Sequence, residues 1–288
     1  QQFSFGEKKL IKIYPLIKDD RFLKIKLENG SIFRPCAVLL NNDLSAGVPE
    51  ILKDIEQTII PSINASWKTR RKSSHFKFYD SVAEEFAEFV NCDPWLINSY
   101  FTSQKEINFH KRIGEEALVT NVSNILEKIK KKYLQYQIKH EPYVVIKADA
   151  GTYGMGIMIA KNADDVKNLN RKKRNKMSVI KDGNEVTEVI IQEGIHSEET
   201  INGAVTEPVV YTIDQFVIGG FYRVHTNKEK DENLNSPGMH FIPQPFETSC
   251  LMPDQGRPCD DEANRFYAYG VIARLALLAA SREMRNEN

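Results

Sequence analysis

Residues 143–160 read Tyr-Val-Val-Ile-Lys-Ala-Asp-Ala-Gly-Thr-Tyr-Gly-Met-Gly-Ile-Met-Ile-Ala, and the fold of the chain is decided here. The β-branched run before Lys147 predicts a strand, and the apolar run at 157–160 predicts a second one. Three glycines lie between them, and they let the backbone approach a ligand closely. Free N–H groups in such a loop bind phosphate oxygens, and the lysine adds a positive charge. We therefore expect a nucleotide-phosphate site, most naturally for ATP, with an ordinary β-hairpin as the alternative.

The two common phosphate-binding motifs do not describe this stretch. In the P-loop the lysine follows the glycines, whereas Lys147 precedes them. In the dinucleotide-binding fingerprint the glycines open a helix, whereas residues 157–160 indicate a second strand. A strand that ends in lysine and leads into a glycine-rich hairpin resembles the ATP-grasp ligases.

Composition argues against several classes of protein. The chain has 288 residues, enough for a sizeable core, and its 39 basic side chains balance 39 acidic ones. A net charge of zero gives no general attraction to nucleic acid or anionic membranes. The four cysteines have neither zinc-site spacing nor a disulfide pattern. No apolar stretch has membrane-spanning length and no signal peptide is visible, so we expect a cytoplasmic protein.

Hydrophobic patterns place further strands and helices around the hairpin. Strands are predicted at 10–14, 22–27 and 188–192, and a strand pair at 208–213 and 215–223 that turns near Asp214. Helices are predicted at 49–57, 115–139 and 262–284. Ser81 and Glu84 have the spacing of a capping box, which predicts that a helix begins there.

Polar residues after one apolar run indicate a candidate ligand site. The run at 37–40 is followed by Asn42 and Asp43, and open α/β sheets bind ligands beyond the carboxyl ends of their strands. A solvated loop is the alternative. Arg70 and Arg71 belong to a cluster of three cations, which suits a carboxylate or a phosphate. A solvated surface is the alternative there.

Two basic stretches allow a different interpretation. Residues 128–132 and 171–176 are rich in lysine and arginine, as in proteins that bind nucleic acid. However, no aromatic side chains interleave with 171–176 to stack on bases, and the net charge is zero. A non-enzymatic nucleic-acid-binding protein is therefore the weaker alternative. Because residues 171–176 follow the glycine hairpin, we interpret them as lying beside the phosphates of a bound nucleotide.

Five motifs occur in order along the chain. They are Asn-Asn-Asp-Leu-Ser-Ala-Gly at 41–47, Thr-Arg-Arg-Lys-Ser at 69–73, Lys-Ala-Asp-Ala-Gly-Thr-Tyr-Gly-Met-Gly-Ile-Met at 147–158, Gly-Gly-Phe-Tyr-Arg-Val-His at 219–225 and Asn-Leu-Asn-Ser-Pro-Gly-Met-His-Phe at 233–241. Together they resemble the proteobacterial glutamate–cysteine ligase family, and the order of elements is similar to that of glutathione synthetase. The resemblance covers the chain from about residue 5 to its end. Members of the family are longer at the N-terminus, so the resemblance implies a missing N-terminal segment.

This resemblance implies a fold and a reaction. The fold is α/β (α+β) and ATP-grasp-like, with an N-terminal α/β domain at 1–110 and a nucleotide-binding region of antiparallel strands and helices at 111–288. The reaction is ATP-dependent ligation of the L-glutamate γ-carboxylate, through an acyl phosphate, to L-cysteine, as the first step of glutathione biosynthesis. ATP and Mg²⁺ are the implied cofactors, and the partners are small molecules, with no nucleic acid and no membrane. Another ATP-grasp carboxylate–amine ligase with a different acceptor is the closest alternative.

The resemblance also implies roles for individual residues. The catalytic residues would be Lys147 and Arg223. The nucleotide would be bound by Lys147, Thr152, Tyr153, Gly154, Met155, Gly156, Gln192, Glu193, Asn233 and Asn235. The amino-acid substrates would be bound by Asn42, Asp43, Arg70 and Arg71. The candidate metal ligands are Glu207, Asp214, Glu232 and Asn235.

Overall fold

The computed structural model describes residues 2–5, 9–42, 44, 47–65, 70–151, 156–178, 185–243 and 265–286. Packing divides the chain into two compact units, Gln1–Arg70 and Arg71–Asn288. Residues 71–110 pack with the second unit, and the domain boundary expected at 110/111 stays a prediction. No helix in the described ranges is both long and apolar enough to cross a bilayer.

The first unit is built from short strands. They are β1 (Gln2–Phe5), β2 (Lys9–Lys12), β3 (Leu16–Asp19), β4 (Phe22–Lys26), β5 (Ile32–Phe33), β6 (Ala37–Leu39) and β7 (Thr58–Ile60). β1 pairs with β2, and β3, β4 and β5 form an antiparallel sheet, whereas β6 and β7 run parallel. Leu23, Leu44 and Leu52 are buried together, so this unit has a small apolar core of its own.

Gln57 connects separate backbone segments of this unit. Its side-chain amide accepts a hydrogen bond from the Leu23 N–H at 2.7 Å, and donates to the carbonyls of Leu23 at 2.7 Å and Pro35 at 3.0 Å. Just before it, Asp54 has a φ of 52°, a left-handed conformation that a right-handed helix does not accommodate. Only a 3₁₀ turn, Glu50–Leu52, forms there. The helix predicted at 49–57 is therefore wrong, because the chain turns at Asp54.

The second unit is built on a four-stranded antiparallel sheet. Its strands are β8 (Phe101–Gln104), β9 (Val144–Ala148), β10 (Ile157–Ala160) and β11 (Val189–Glu193), in the order β10-β9-β11-β8. Lys147 lies opposite Ile157 across β9 and β10, which confirms the strands predicted on both sides of the glycine segment. Gly156 has a φ of 62°, so any other residue would be strained where β10 begins.

Helix α2 (Glu115–Gln135) covers one face of this sheet. Its apolar residues recur every three or four positions, and these four are almost fully buried: Leu118, Val122, Ile125 and Ile129. Burial of each large aliphatic side chain contributes about 1.5–3 kcal/mol. Strand side chains alternate between faces, so Ile146 packs on the α2 side and Lys147 projects from the opposite side. Two short helices, α3 (Asp164–Lys167) and α4 (Arg171–Ser178), follow β10.

Helices α1 (Lys72–Val90) and α5 (Arg265–Asn286) pack against each other. Their contact buries Tyr79, Val82, Ala83, Leu275 and Ala279. Ser81 lies within α1, where its hydroxyl donates to Glu85 at 3.3 Å. The helix start predicted at Ser81 is therefore wrong. The helix begins at Lys72 because Asp149, far along the chain, caps its first turn.

A second antiparallel sheet belongs to the same unit. Its strands are β12 (Thr200–Ile201), β13 (Ala204–Ile213), β14 (Phe216–His225) and β15 (His240–Pro243), in that order. β13 and β14 form a long hairpin that turns at Asp214, as the sequence predicts, and Glu207 lies opposite Arg223. The pairing shifts between Tyr211 and Thr212, which leaves one extra residue in β14 as a β-bulge.

Gly194 leaves no room for a side chain in the described part of this unit. A Cβ added there would overlap the ring of Tyr143, which is 4% exposed. We therefore expect Gly194→Ala to lower the free energy of unfolding by about 1–3 kcal/mol. Urea unfolding of this variant measures the cost.

A double-mutant cycle tests the cause. In a Tyr143→Ala background the ring is gone, so the same Gly194→Ala change should cost much less. Equal costs in the two backgrounds would show that the ring is not responsible.

Candidate active site

The side chain of Lys147 lies on the four-stranded sheet β10-β9-β11-β8, on the face opposite to α2. It is hydrogen-bonded there. Its Nζ donates to Oε1 of Gln192 on the adjacent strand β11 at 2.7 Å. The amide nitrogen of Gln192 donates in turn to the hydroxyl of Ser99 at 3.0 Å. This chain of hydrogen bonds fixes both the lysine and the glutamine in position before any ligand binds.

The ammonium group of Lys147 is poorly solvated. Burial lowers the pKa of Lys147, and the nearby negative charge of Glu207 opposes that shift. Glu207 belongs to β13 of the second sheet. A cation that has already lost most of its water binds an anion strongly, because electrostatic attraction rises as the local dielectric falls.

Glu207 and Arg223 form an ion pair between neighbouring strands. They lie directly opposite each other on β13 and β14, and the Arg223 guanidinium donates to Glu207 Oε2 at 3.0 Å. Both side chains are partly exposed, at 26% for Arg223 and 37% for Glu207. The second unit therefore contributes two cations and one carboxylate to the candidate site: Lys147, Arg223 and Glu207.

His225 holds the loop that contains Asn233 and Asn235. The histidine is 3% exposed; its Nδ1 accepts from the Asn227 N–H at 3.3 Å. The other ring nitrogen, Nε2, therefore carries the proton and donates to the Pro237 carbonyl at 3.1 Å. Asn233 Oδ1 accepts from the Asn235 N–H at 3.0 Å, which closes the start of the loop. Because His225 ends β14, the loop is tied to the strand that carries Arg223.

A cavity of about 270 Å³ lies beside β10. Its polar wall contains Lys173, Lys176, Lys228, Glu232 and Asn233. Its apolar wall is formed by Ile157, Met158, Ile159 and Met177. Lys228 donates to Glu232 at 2.7 Å, so two of the three lysines remain uncompensated by that carboxylate. The cavity is therefore suited to an anion, and part of the basic stretch 171–176 lines it.

Glu193 lies on the opposite face of the sheet from Gln192. Its carboxylate is 2% exposed and accepts from Nε1 of Trp95 at 3.0 Å and from the N–H of Tyr100 at 2.9 Å. The alternation of β11 thus turns Glu193 toward α2 while Gln192 faces Lys147. Its carboxylate is bonded to these two donors and faces away from Lys147, so Glu193 is not part of the group around Lys147.

Asp214 is the second predicted residue that lies apart from Lys147. It is exposed at the turn of the β13–β14 hairpin, and Arg223 lies nine positions further on. At about 3.3 Å per strand residue, that separation is roughly 30 Å. Asp214 therefore does not join the charged group around Arg223.

The predicted amino-acid-binding residues occupy other positions. Asn42 is exposed in the first unit and accepts from the Leu44 N–H at 2.8 Å, and Arg70 ends that unit. Arg71 begins the second unit, with its guanidinium 3.8 Å from Glu188. The remaining predicted residues, Asp43, Thr152, Tyr153, Gly154 and Met155, lie outside the described residues.

Sequence reasoning did not find every residue of this site. Ser99 has no local pattern that would connect it to Gln192, and Lys228 belongs to a polar loop of mixed charge. The cavity lysines Lys173 and Lys176 could be found only as part of a basic stretch. As for metal ions, no three histidine, cysteine, aspartate or glutamate side chains of the described ranges gather as ligands.

Comparisons with known proteins give the family and the fold of the chain. The family model described as GshA, glutamate–cysteine ligase, matches residues 2–284. A crystal structure at 1.90 Å resolution from Methylobacillus flagellatus KT, provisionally named gamma-glutamylcysteine synthetase, is 53% identical to this chain with a TM-score of 0.87. The match covers 100% of this chain and 67% of that one. A search of curated proteins finds no match.

The chain belongs to the glutamate–cysteine ligase family. Enzymes of this family join glutamate to cysteine in the first step of glutathione synthesis, so the protein is a ligase that acts on small molecules. The family is ATP-dependent and generally uses Mg²⁺. The expected fold class is confirmed: helices and antiparallel sheets form a mixed α/β structure consistent with an ATP-grasp-like arrangement.

The burial of Glu193 predicts a pH dependence of stability. Burial raises the pKa of Glu193 above its ordinary value of 4.5, against the opposing effect of its hydrogen bonds to Tyr100 and Trp95. A raised folded-state pKa stabilises the folded protein at pH below 4.5, and this stabilisation is lost as pH rises through the folded value. Wild type should therefore lose stability relative to Glu193→Gln as pH rises from about 4.5.

Urea unfolding from pH 4 to pH 7 checks this expectation. Glu127→Gln, an exposed change on α2, is the matched control and should run parallel to wild type. If the Glu193→Gln curve also ran parallel to wild type, Glu193 would have an ordinary pKa in the folded protein.

Proposed function

We propose that the site around Lys147 carries out the ATP-dependent ligation of glutamate to cysteine. The γ-carboxylate of glutamate attacks the γ-phosphorus of ATP, and ADP leaves. The cysteine amine then attacks the acyl phosphate, which yields γ-glutamylcysteine and phosphate. The observation that supports this assignment is the half-buried ammonium of Lys147, held by Gln192, together with the Glu207–Arg223 ion pair.

The triphosphate would be bound by Lys147 and the neighbouring cavity. The acceptor Gln192 is neutral and does not neutralise Lys147, so phosphate oxygens meet a partly desolvated cation. Lys173 and Lys176 add positive charge from α4, and the apolar wall of the cavity excludes water from that side. Gln192 lies on the same face and would contact the nucleotide there. These features support a polyphosphate at this place.

Arg223 would act on the phosphoryl group during transfer. A guanidinium binds phosphoryl oxygens through its planar fork, and its charge stabilises the transition state where negative charge develops. The ion pair with Glu207 keeps Arg223 oriented before the substrates arrive. In this proposal Glu207 positions Arg223, and Arg223 and Lys147 together neutralise the phosphates.

Mg²⁺ would be held by partly exposed carboxylates near these cations. Glu207 and Glu232 are each 37% exposed, and each already contacts one cation. Mg²⁺ is commonly bound by one or two carboxylates together with nucleotide phosphates, so these residues fit the ion. When bound, it would neutralise phosphate charge. Asn233 and Asn235 are the amide groups closest in sequence to Glu232 and complete this set of candidates.

The amino-acid substrates remain assigned to residues outside this group. Arg71 is about half exposed and only loosely paired with Glu188, so its guanidinium is available to a carboxylate. Asn42, Asp43 and Arg70 keep their proposed substrate roles from the motif resemblance. We also propose a cytoplasmic location, since the cytoplasm supplies both ATP and reduced cysteine.

Product formation tests the proposed reaction directly. We expect ADP release with Mg²⁺, ATP and glutamate to depend on cysteine, and mass spectrometry to detect γ-glutamylcysteine. ADP release that depends on another amine instead would make the protein an ATP-grasp ligase with a different acceptor. ATP binding without any ADP release in the presence of both amino acids would contradict the proposed reaction.

Substitution of Lys147 tests its role in nucleotide binding. Lys147→Met removes a buried charge at similar volume, so we expect unfolding stability to hold while kcat/KM for ATP falls about 100-fold. Lys130→Met, an exposed change on α2, is the matched control and should leave both unchanged. An unaltered kcat/KM for ATP in Lys147→Met would remove Lys147 from the site.

A further inference from the structure

The first turn of α1 is capped by a residue from the end of β9. Arg71, at the N-cap position, makes no side-chain capping hydrogen bond. Asp149 supplies the acceptors instead: its carbonyl accepts from the Lys72 N–H at 3.0 Å, and its Oδ1 accepts from the Ser73 N–H at 2.8 Å. The Ser73 hydroxyl donates to the other carboxylate oxygen at 2.6 Å. The helix start and the strand end are therefore joined by three hydrogen bonds.

Lys72 adds a second set of contacts to the same place. Its Nζ donates to the carbonyls of Ala148 at 2.8 Å and Gly151 at 2.9 Å, with Asp149 further away at 3.4 Å. These carbonyls belong to the segment that leaves β9 and opens the glycine-rich stretch. One ammonium group thus bonds backbone carbonyls on both sides of Asp149.

The segment is also held from the sheet side. The Asp149 N–H donates to the Glu188 carbonyl at 3.0 Å, and the Ala148 N–H donates to the Gly156 carbonyl at 3.2 Å. Asp149 is only 2% exposed, so its carboxylate is fully engaged by α1 rather than by solvent. Residues 148–151 are therefore fixed between α1 on one side and the sheet on the other.

We infer that Lys72, Ser73 and Asp149 are positioning residues that hold residues 148–151, where the glycine-rich segment begins, in place for ATP binding. This inference rests on the proposed function, since it assigns the hairpin to the nucleotide. We call Lys72, Ser73 and Asp149 the anchor. Asp149 follows Lys147 by two positions, so the anchor also fixes the position of Lys147 at the end of β9. A segment that is ordered before binding loses less conformational entropy when the nucleotide arrives, which strengthens binding.

The charge of Lys72 is consistent with this place in the site. Burial lowers the pKa of Lys72 to about 8, against the attraction of Asp149, and the charges of Lys147 and Arg71 lower it further. Lys72 Nζ bonds the carbonyl of Ala148, the residue that follows Lys147, so two lysines lie at the end of β9. Their combined positive charge lies where phosphates would bind, so the anchor adds to the attraction for an anion.

Ser73→Ala and Lys72→Met test the anchor from its two sides. Each should weaken binding of a non-hydrolysable ATP analogue, measured by calorimetry, about tenfold, as expected for loss of a well-formed hydrogen bond. The KM for ATP should rise similarly, while the KM for glutamate stays near wild type. The thermal midpoint should fall by a few degrees, because the first turn of α1 loses hydrogen bonds. Ser73→Thr keeps the hydroxyl and should restore ATP affinity.

Two exposed residues of the same helix provide matched controls. Ser81→Ala and Lys77→Met remove the same chemical groups away from Asp149, so both should bind the analogue like wild type. If Ser73→Ala and Lys72→Met lower the thermal midpoint without a selective loss of ATP affinity, the contacts serve only the helix and the inference is overturned. If the variants bind like wild type, the inference alone fails. Wild type that binds no analogue would overturn the proposed function as well.

Discussion

The hydrogen bond between Lys147 and Gln192 is the contact on which the candidate site depends. It holds a cation in a poorly solvated place, where burial works against its charge. A protein keeps such a group charged only if nearby dipoles and carboxylates compensate it. Here Gln192 and Glu207 do so from two different sheets, and an anionic ligand would do so more completely. Side chains from both sheets of the second unit thus stabilise the charge of Lys147.

The division of each strand into two faces explains how one sheet serves both packing and chemistry. Ile146 and Glu193 face α2 and contribute to the interior, while Lys147 and Gln192 face the other way. The buried carboxylate of Glu193 is compensated by donors from Trp95 and Tyr100, not by a cation. The α2 side therefore needs no ligand to be satisfied, whereas the other side is built from charges that are only partly paired.

Local sequence patterns predicted the features that arise locally. The hairpin around the glycines, the turn at Asp214 and the helix that begins at Glu115 follow from apolar periodicity and turn residues. The helix start at Lys72 did not, because its first turn is capped by Asp149, which lies 76 positions after Ser73. The face of Glu193 depends on the exact register of β11, and the pairing of Gln192 with Ser99 spans 93 positions. No short window of sequence contains both partners of such contacts.

The bulge in β14 separates the β13–β14 hairpin into two segments with independent side-chain alternation. Below it Glu207 lies opposite Arg223, and above it Ile213 lies opposite Phe216 near the turn. A change in length or sequence near the turn is therefore absorbed above the bulge and leaves the register of the ion pair intact. The strand pairing on its own side of the bulge therefore keeps Glu207 and Arg223 opposite each other.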